Sequence, residues 1–295
     1  MDRQQSLIAI LCASAPLRDS MKIFQATNTL DGYLPPLEFT ASAEEAKVIL
    51  VGGKKFSLDD FPNLQGIFKT GVGTDNLPFD EAAARGIRIA LPSSSTCDTI
   101  YEETSAFTCY LILSTLYADA GVWASWKKMD RVMTANRELL VLGTGRIGGR
   151  VAQKMGSLLR VTTFDALTDP AKALEPLIRE ADCISIHIPL SPDTREFFDH
   201  ERLSWMKDGA SLVNAARGQI IDEQALYNEL ACGRLRAACD VFWQEPYDGI
   251  LNELPADRFI KTPHIASTCR EWLDGCAADF LKFLAELDES CDSTK

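Results

Sequence analysis

Leu139-Leu140-Val141-Leu142, running into Gly143-Thr144-Gly145-Arg146-Ile147-Gly148, is the stretch that decides how this chain folds. Four consecutive apolar residues suit a strand covered on both faces, and the residues from Gly148 to about Leu158 suit a helix. Between them stands a G-x-G-x-x-G turn with one physical task for each glycine. Gly143 permits the tight turn, Gly145 lets the backbone approach a pyrophosphate, and Gly148 lets helix and sheet pack closely. The helix N-terminus offers N–H groups and the positive end of its dipole to the anion. Asp165 follows Gly143 by 22 residues and ends the next strand, where its carboxylate can accept from a ribose diol. Strand, turn, helix and acid in register predict dinucleotide binding over a purely structural turn. Ala166, Leu167 and Thr168 offer no basic partner for a 2′-phosphate, so NAD is expected rather than NADP.

Outward from this motif, strands are predicted at Glu138–Leu142, Val161–Phe164, Cys183–Ile188, Ser211–Asn214, Ala237–Val241 and Phe259–Lys261, with helices between them. Such alternation specifies one doubly wound parallel sheet. A shorter series precedes it: strands at Leu7–Cys12, Lys47–Val51, Leu64–Phe68 and Ile87–Ala90, with a helix at Asp80–Arg85. A long helix from about Asp98 to Tyr117 joins the two series. Apolar residues from Trp272 to Leu287 recur at helical spacing, so a terminal amphipathic helix is expected over Arg270–Leu287. The predicted fold is α/β: two doubly wound parallel-sheet domains, a Rossmann NAD-binding domain (96–268) inserted into a flavodoxin-like substrate domain (1–95 with the C-terminal helix region 269–295).

The 295 residues, 46% hydrophobic and 24% charged, are those of an ordinary globular protein and exclude fibrous or disordered classes. A net charge of −12 opposes nucleic acid and anionic membrane surfaces as partners. The N-terminus shows no basic n-region or cleavage site, and the apolar run Ala106–Ala118 is too short for a membrane span, so it reads as a buried helix. Nine cysteines without a Cys-x-x-Cys pair, and three histidines, provide no zinc-like spacing; reduced thiols and a cytoplasmic location are expected, with no metal.

Three further segments place reactive side chains at strand ends, where open α/β sheets bind ligands. Arg217, in Asn214-Ala215-Ala216-Arg217-Gly218, offers a fork suited to a carboxylate, against the commoner reading of a surface ion pair. Asp240 and Glu245 follow another strand, and His264 follows the last. His187 and His200 read as packed or capping residues. His264 differs, because it shares an edge with Arg217 and an orienting carboxylate, the set that hydride transfer at a carbinol requires.

Together with His187-Ile188-Pro189-Leu190, Met206 to Ala210, Asp222 to Leu226 and the loop Thr70-Gly71-Val72-Gly73-Thr74-Asp75-Asn76, these motifs resemble the D-isomer-specific 2-hydroxyacid dehydrogenase family from about Leu64 onward. The resemblance implies an NAD-dependent enzyme interconverting a small 2-ketoacid and a D-2-hydroxy acid. Arg217 would hold the substrate carboxylate and keto oxygen, His264 would exchange the hydroxyl proton, and Glu245 would orient and charge-stabilise His264. Asp240 would bind the nicotinamide carboxamide, Arg146 and Ile147 the pyrophosphate, and Asp165 the ribose. Ile188, Pro189 and Thr194 would line the adenosine side, and Ala215 and Ala216 would also lie against the cofactor. The Gly71, Val72 and Gly73 backbone would present N–H groups to the substrate carboxylate, and closure of the two domains would exclude water. A homodimer is implied as well. The chain departs from the family in a short span from Glu103 to Gly143, in Asn136-Arg137-Glu138 before the cofactor strand, and in Tyr101-Glu102-Glu103, to which no role is carried. Gly52-Gly53-Lys54 is matched to a specificity loop by pattern alone.

Related readings are a formate dehydrogenase, opposed by the Glu245 and His264 pair, and a phosphite dehydrogenase, opposed by the Thr70–Asn76 loop. A non-catalytic NAD-sensing corepressor on the same fold is a reading of a different class, opposed by retention of all three catalytic side chains.

Overall fold

The computed structural model describes residues 21–118, 121–122 and 125–292. The chain divides into two compact units, 1–100 with 268–295, and 101–267.

In the first unit, β1 (Ile23–Gln25), β2 (Phe39–Thr40), β3 (Val48–Val51), β4 (Gly66–Lys69) and β5 (Arg88–Ala90) form a parallel sheet in the order β2-β1-β3-β4-β5. Alternation along β3 explains its unbroken apolar run. Val48 and Leu50 face a core shared with Phe280, Phe283 and Leu284, whereas Ile49 and Val51 face one built with Leu58, Phe61 and Ala82. Helix α1 (Phe79–Ala84) precedes β5, and α2 (Ser94–Leu116) follows it. The predicted strand at Leu7–Cys12 lies outside the described residues, and β1 and β2 were not anticipated. Helix α2 starts four residues earlier than expected, because Ser93 and Thr96 are tied to Asp279 through the Ser93 N–H (2.8 Å) and the Thr96 hydroxyl (2.7 Å).

The second unit contains a small antiparallel ribbon, β6 (Gly121–Val122) with β7 (Lys127–Lys128), and a six-stranded parallel sheet. Its strands are β8 (Glu138–Leu142), β9 (Arg160–Phe164), β10 (Cys183–Ile186), β11 (Ser211–Asn214), β12 (Arg236–Cys239) and β13 (Phe259–Lys261), in the order β13-β12-β11-β10-β8-β9. Leu139 and Val141 of β8 face the core of α2 and α3 (Gly148–Met155). Leu140 and Leu142 face the opposite core, which includes residues of α4 (Leu174–Glu180), α5 (His200–Trp205) and α6 (Glu223–Ala231). Side-chain caps fix two of these helices: Asp199 accepts from the Arg202 N–H and Asp222 from the Ala225 N–H.

Strand β10 ends at Ile186 rather than Ile188. One further ladder bond, from the His187 N–H to the Leu142 carbonyl, precedes Pro189, which has no N–H to offer. The terminal helix α7 (Arg270–Asp292) belongs to the first unit, and a Cβ on Gly66 would meet its Leu287 side chain at 2.5 Å. Among the described residues no helix is long and apolar enough to cross a membrane.

Candidate active site

The order of the second sheet reverses at β8: β9 lies on one side of it and β10 on the other, which opens a crevice beyond the carboxyl ends of both strands. The glycine turn stands there. Gly143 has φ +94°, and a Cβ on it would lie 2.8 Å from the His187 carbonyl group. A Cβ on Gly148 would lie 2.0 Å from the Gly143 carbonyl oxygen, so only glycine lets α3 start so close to β8. Gly145, in contrast, faces open space, in a groove also lined by Thr144, Arg146, Gly149, Arg150 and Gln153. No side chain caps α3 at its N-terminus, where the Gly149 N–H closes onto the Gly145 carbonyl at 3.0 Å. Tyr101 lies beneath both Arg146 and Arg150, with ring-to-guanidinium distances of 5.9 and 5.7 Å. Arg150 also donates to the Arg146 carbonyl at 2.7 Å.

Asp165 borders the same turn. One carboxylate oxygen accepts from the Thr144 N–H (3.0 Å) and hydroxyl (2.7 Å), the other from the Leu167 N–H (3.1 Å). The Thr144 N–H, then its hydroxyl, and then Leu167 lower the Asp165 pKa, so it is an anion beside the cradle. Ile188 packs against Gly143, Pro189 is exposed, and Thr194 turns inward, its hydroxyl donating to the Pro189 carbonyl (2.6 Å) and accepting from the Ser191 N–H (2.7 Å). The open face at Gly145, the uncapped helix, the paired arginines and the carboxylate fit a dinucleotide.

Further along the same edge, two loops meet at Gly218. A Cβ there would lie 2.1 Å from the Phe242 carbonyl carbon and 2.5 Å from the Trp243 nitrogen. Asn214, fully buried, shapes the first loop by accepting from the Ala216 N–H (2.9 Å) and donating to the Arg217 carbonyl (2.8 Å). Ala215, Ala216 and Arg217 are half-buried, and the Arg217 guanidinium reaches the Ala216 carbonyl at 2.7 Å. The second loop carries Glu245, whose Oε1 accepts from the Phe242 N–H at 3.1 Å and whose Oε2 meets His264 Nδ1 at 2.7 Å. Burial pushes the Glu245 carboxyl up, but His264, the Phe242 N–H and the nearby Arg217 charge together outweigh it and hold the pKa below its usual value. An ionised Glu245 fixes the proton on Nδ1 and leaves Nε2 as the working nitrogen. His264 and Glu245 keep 45% and 38% of their side-chain surfaces exposed, so the pair is accessible to a ligand. His264 has φ +53°, a strained backbone for a residue with a Cβ, costing roughly 1–3 kcal/mol.

Asp240 is wholly buried, and its carboxylate accepts from the Thr262 hydroxyl and from the Ile265 and Ala266 N–H groups of the turn that carries His264. Thr262, Asn214 and Gly218 were not anticipated as site-building residues; the Asx-type turn opening Asn-Ala-Ala-Arg-Gly was the available signal for Asn214. Gly71, Val72 and Gly73 belong to the first unit and follow β4. Asn76 holds their loop beside 52–54 by donating to the carbonyls of Gly52 (2.9 Å) and Lys54 (2.8 Å). Among the described residues no cluster of His, Cys, Asp or Glu could hold a metal ion.

Residues 113–266, just over half of the chain, match the family described as D-isomer specific 2-hydroxyacid dehydrogenase, NAD binding domain. The chain belongs to this family. Its second unit carries the family's NAD-binding domain. A hydroxypyruvate reductase of Thermotoga maritima is 33% identical over 228 residues, 71% of this chain and 72% of that protein. A D-3-phosphoglycerate dehydrogenase of Mycobacterium tuberculosis is 34% identical over 233 residues, 74% of this chain and 44% of that protein. The chain thus spans less than half the length of the phosphoglycerate dehydrogenase it matches. Among solved structures of the fold, the TT0316 protein of Thermus thermophilus has a TM-score of 0.75 at 27% identity, covering 92% of this chain and 97% of its own.

Proposed function

We propose that the protein interconverts a small 2-ketoacid and a D-2-hydroxy acid with NADH or NAD. The observation that carries this reading is the 2.7 Å pair of His264 Nδ1 and Glu245 Oε2 on the sheet edge that also bears Arg217. NADH supplies the hydride when bound. Gly145, Arg146 and Ile147 hold its pyrophosphate, and Asp165 accepts from its ribose; that carboxylate opposes a 2′-phosphate. Ile188 and Pro189 border the adenosine.

Arg217 grips the substrate carboxylate with its planar fork and places the keto carbon. His264 donates a proton from Nε2 to the keto oxygen during reduction and takes it back during oxidation. Glu245 holds the ring by Nδ1 and stabilises the imidazolium on each cycle.

Hydroxypyruvate and 3-phosphoglycerate are the first substrates to test, because proteins bearing those names are relatives. A panel of 2-ketoacids and 2-hydroxyacids followed by NADH absorbance decides the matter. Turnover of one member is expected, and tight NADH binding with no turnover across the panel would favour a coenzyme-sensing protein instead.

Exposed Tyr110, Tyr117, Trp126, Met129, Val132 and Met133 support a homodimer, with a second copy covering this segment. Sedimentation should give twice the chain mass, and Trp126→Glu with Met133→Glu should give a monomer.

A further inference from the structure

Glu245 stands between two anchored aromatic residues. Gln244, Glu245 and Pro246 are exposed, while Trp243 before them and Tyr247 after them are half-buried and pack against the core that contains Phe242 and Leu251. The Trp243 indole N–H donates to the Ile221 carbonyl at 2.7 Å, and the Trp243 carbonyl accepts from Gln219 Nε2 at 2.8 Å. On the far side, the Tyr247 hydroxyl donates to Glu223 Oε1 at 2.5 Å and accepts from the Leu251 N–H at 3.1 Å. Burial, and then the Glu223 carboxylate, push the Tyr247 phenol pKa up, so the hydroxyl keeps the proton that it donates. Gln219, Ile221 and Glu223, which receive these ties, all lie on the stretch that directly follows Arg217. Three consecutive exposed residues have little packing to fix them, so the ends of the segment set where the carboxylate stands.

We propose that Trp243 and Tyr247 are positioning residues: they brace the Glu245 loop at both ends against the segment after Arg217, so that the carboxylate orienting His264 and the guanidinium keep a fixed spacing. The catalytic part rests on the dehydrogenase reading given above; the brace itself does not. An aromatic residue with one polar atom suits the task. Its ring fills the core, while the indole N–H or the hydroxyl selects one partner and with it one orientation.

Trp243→Phe and Tyr247→Phe each keep an aromatic ring and delete the polar atom. In each, kcat at saturating NADH should fall about tenfold, the share of aligned loop that one hydrogen bond maintains, while the Kd for NADH measured by fluorescence stays within about threefold. Glu223→Ala should reproduce the Tyr247→Phe loss, and Glu223→Gln, whose amide oxygen still accepts from the phenol, should return to within about threefold of the parent. Coenzyme-free protein provides an independent readout. The Phe242 N–H donates to Glu245 Oε1 at 3.1 Å, so it reports where that carboxylate stands. Its exchange should quicken at least about tenfold in Trp243→Phe, Tyr247→Phe and Glu223→Ala, with a displaced His264 ring resonance, and both should recover in Glu223→Gln.

A Tyr247→Phe protein whose Leu251 amide exchanges faster, but whose kcat, Phe242 exchange and ring resonance are unchanged, would reduce that tie to local packing and overturn the brace. The same silence in Trp243→Phe would overturn it equally, as would a loss of NADH affinity of about tenfold or more in either variant. If Trp243→Phe does not fold, the Tyr247 and Glu223 variants decide. If the parent protein turns over no 2-ketoacid, the dehydrogenase reading fails while the exchange and resonance measurements still judge the brace.

Discussion

Gly218→Ala changes one hydrogen into a methyl group at the point where the two catalytic loops touch. The new Cβ would stand 2.1 Å from the Phe242 carbonyl carbon, where an ordinary contact needs at least 3.4 Å. Both neighbours are backbone, so no rotamer change relieves the clash. The loops must part by more than about 1 Å, and overpacking of this kind costs roughly 1–3 kcal/mol. The same displacement moves Arg217 away from Glu245 and, through it, from His264. A shift of that size in catalytic geometry lowers turnover by about 100-fold. NADH binding at Gly143–Gly148 should hold, since the glycine cradle belongs to a different loop. Urea unfolding and steady-state kinetics on a 2-ketoacid that the parent protein turns over would measure both effects. Stability and kcat/KM both indistinguishable from the parent would refute the reasoning that Gly218 sets the spacing between the loops.

Four further outcomes are expected. His264→Ala should lose about 10²- to 10⁴-fold in kcat with NADH affinity nearly intact, and near-parental turnover would remove this histidine from the mechanism. Because Glu245 is held below its ordinary pKa of 4.5, it stays ionised as pH falls through that value. Any loss of reduction rate from its protonation should therefore set in only at lower pH, as a kcat profile would register. Asp165→Ser combined with Ala166→Arg should shift the kcat/KM ratio towards NADPH by removing a like charge and adding a phosphate partner; an unchanged ratio would dismiss Asp165 as the selector. Burial lowers the pKa of His187 from 6.5 to about 4, so the fold holds the ring neutral. The unfolded chain binds the extra proton between those values, so this stability is fully present above pH 6.5 and is lost as pH falls towards 4. His187 keeps some exposed surface, so the loss is at most about 3 kcal/mol, and His187→Gln should flatten that part of a pH series of urea midpoints.

What could be read from the residues follows how local the information is. The bounds of β8, β11 and β13 coincide with apolar runs that end in glycine or polar turn residues, and the glycine turn stands directly after β8, where the motif put it. Strands β1 and β2 escaped because three and two residues are too few to show alternation. The early start of α2 depends on Asp279, more than 180 positions away in sequence. The hydrogen bonds of Asp240 were hidden for the same reason. A carboxylate after a strand is visible in the sequence, but its donors come from a turn 22 to 26 residues later, and only the folded chain reveals that they take up its oxygens. Gly218 was legible as a turn glycine, while the need for it lies in the approach of Phe242.

Strand β9 ends its sheet with one side unpaired by any other strand among the described residues. A row of free backbone donors and acceptors is a template for a foreign strand. The chain limits this hazard locally: β9 has five residues, Arg160 stands exposed at its start, and Thr162 ties back to Glu138 at 2.6 Å. Its central residues are valine and threonine, good strand formers, so the guard is carried mainly by that arginine and by the brevity of the strand. An apolar replacement of Arg160 should therefore promote self-association through this edge, as light scattering would register, while leaving the chemistry of each dissolved molecule unaltered.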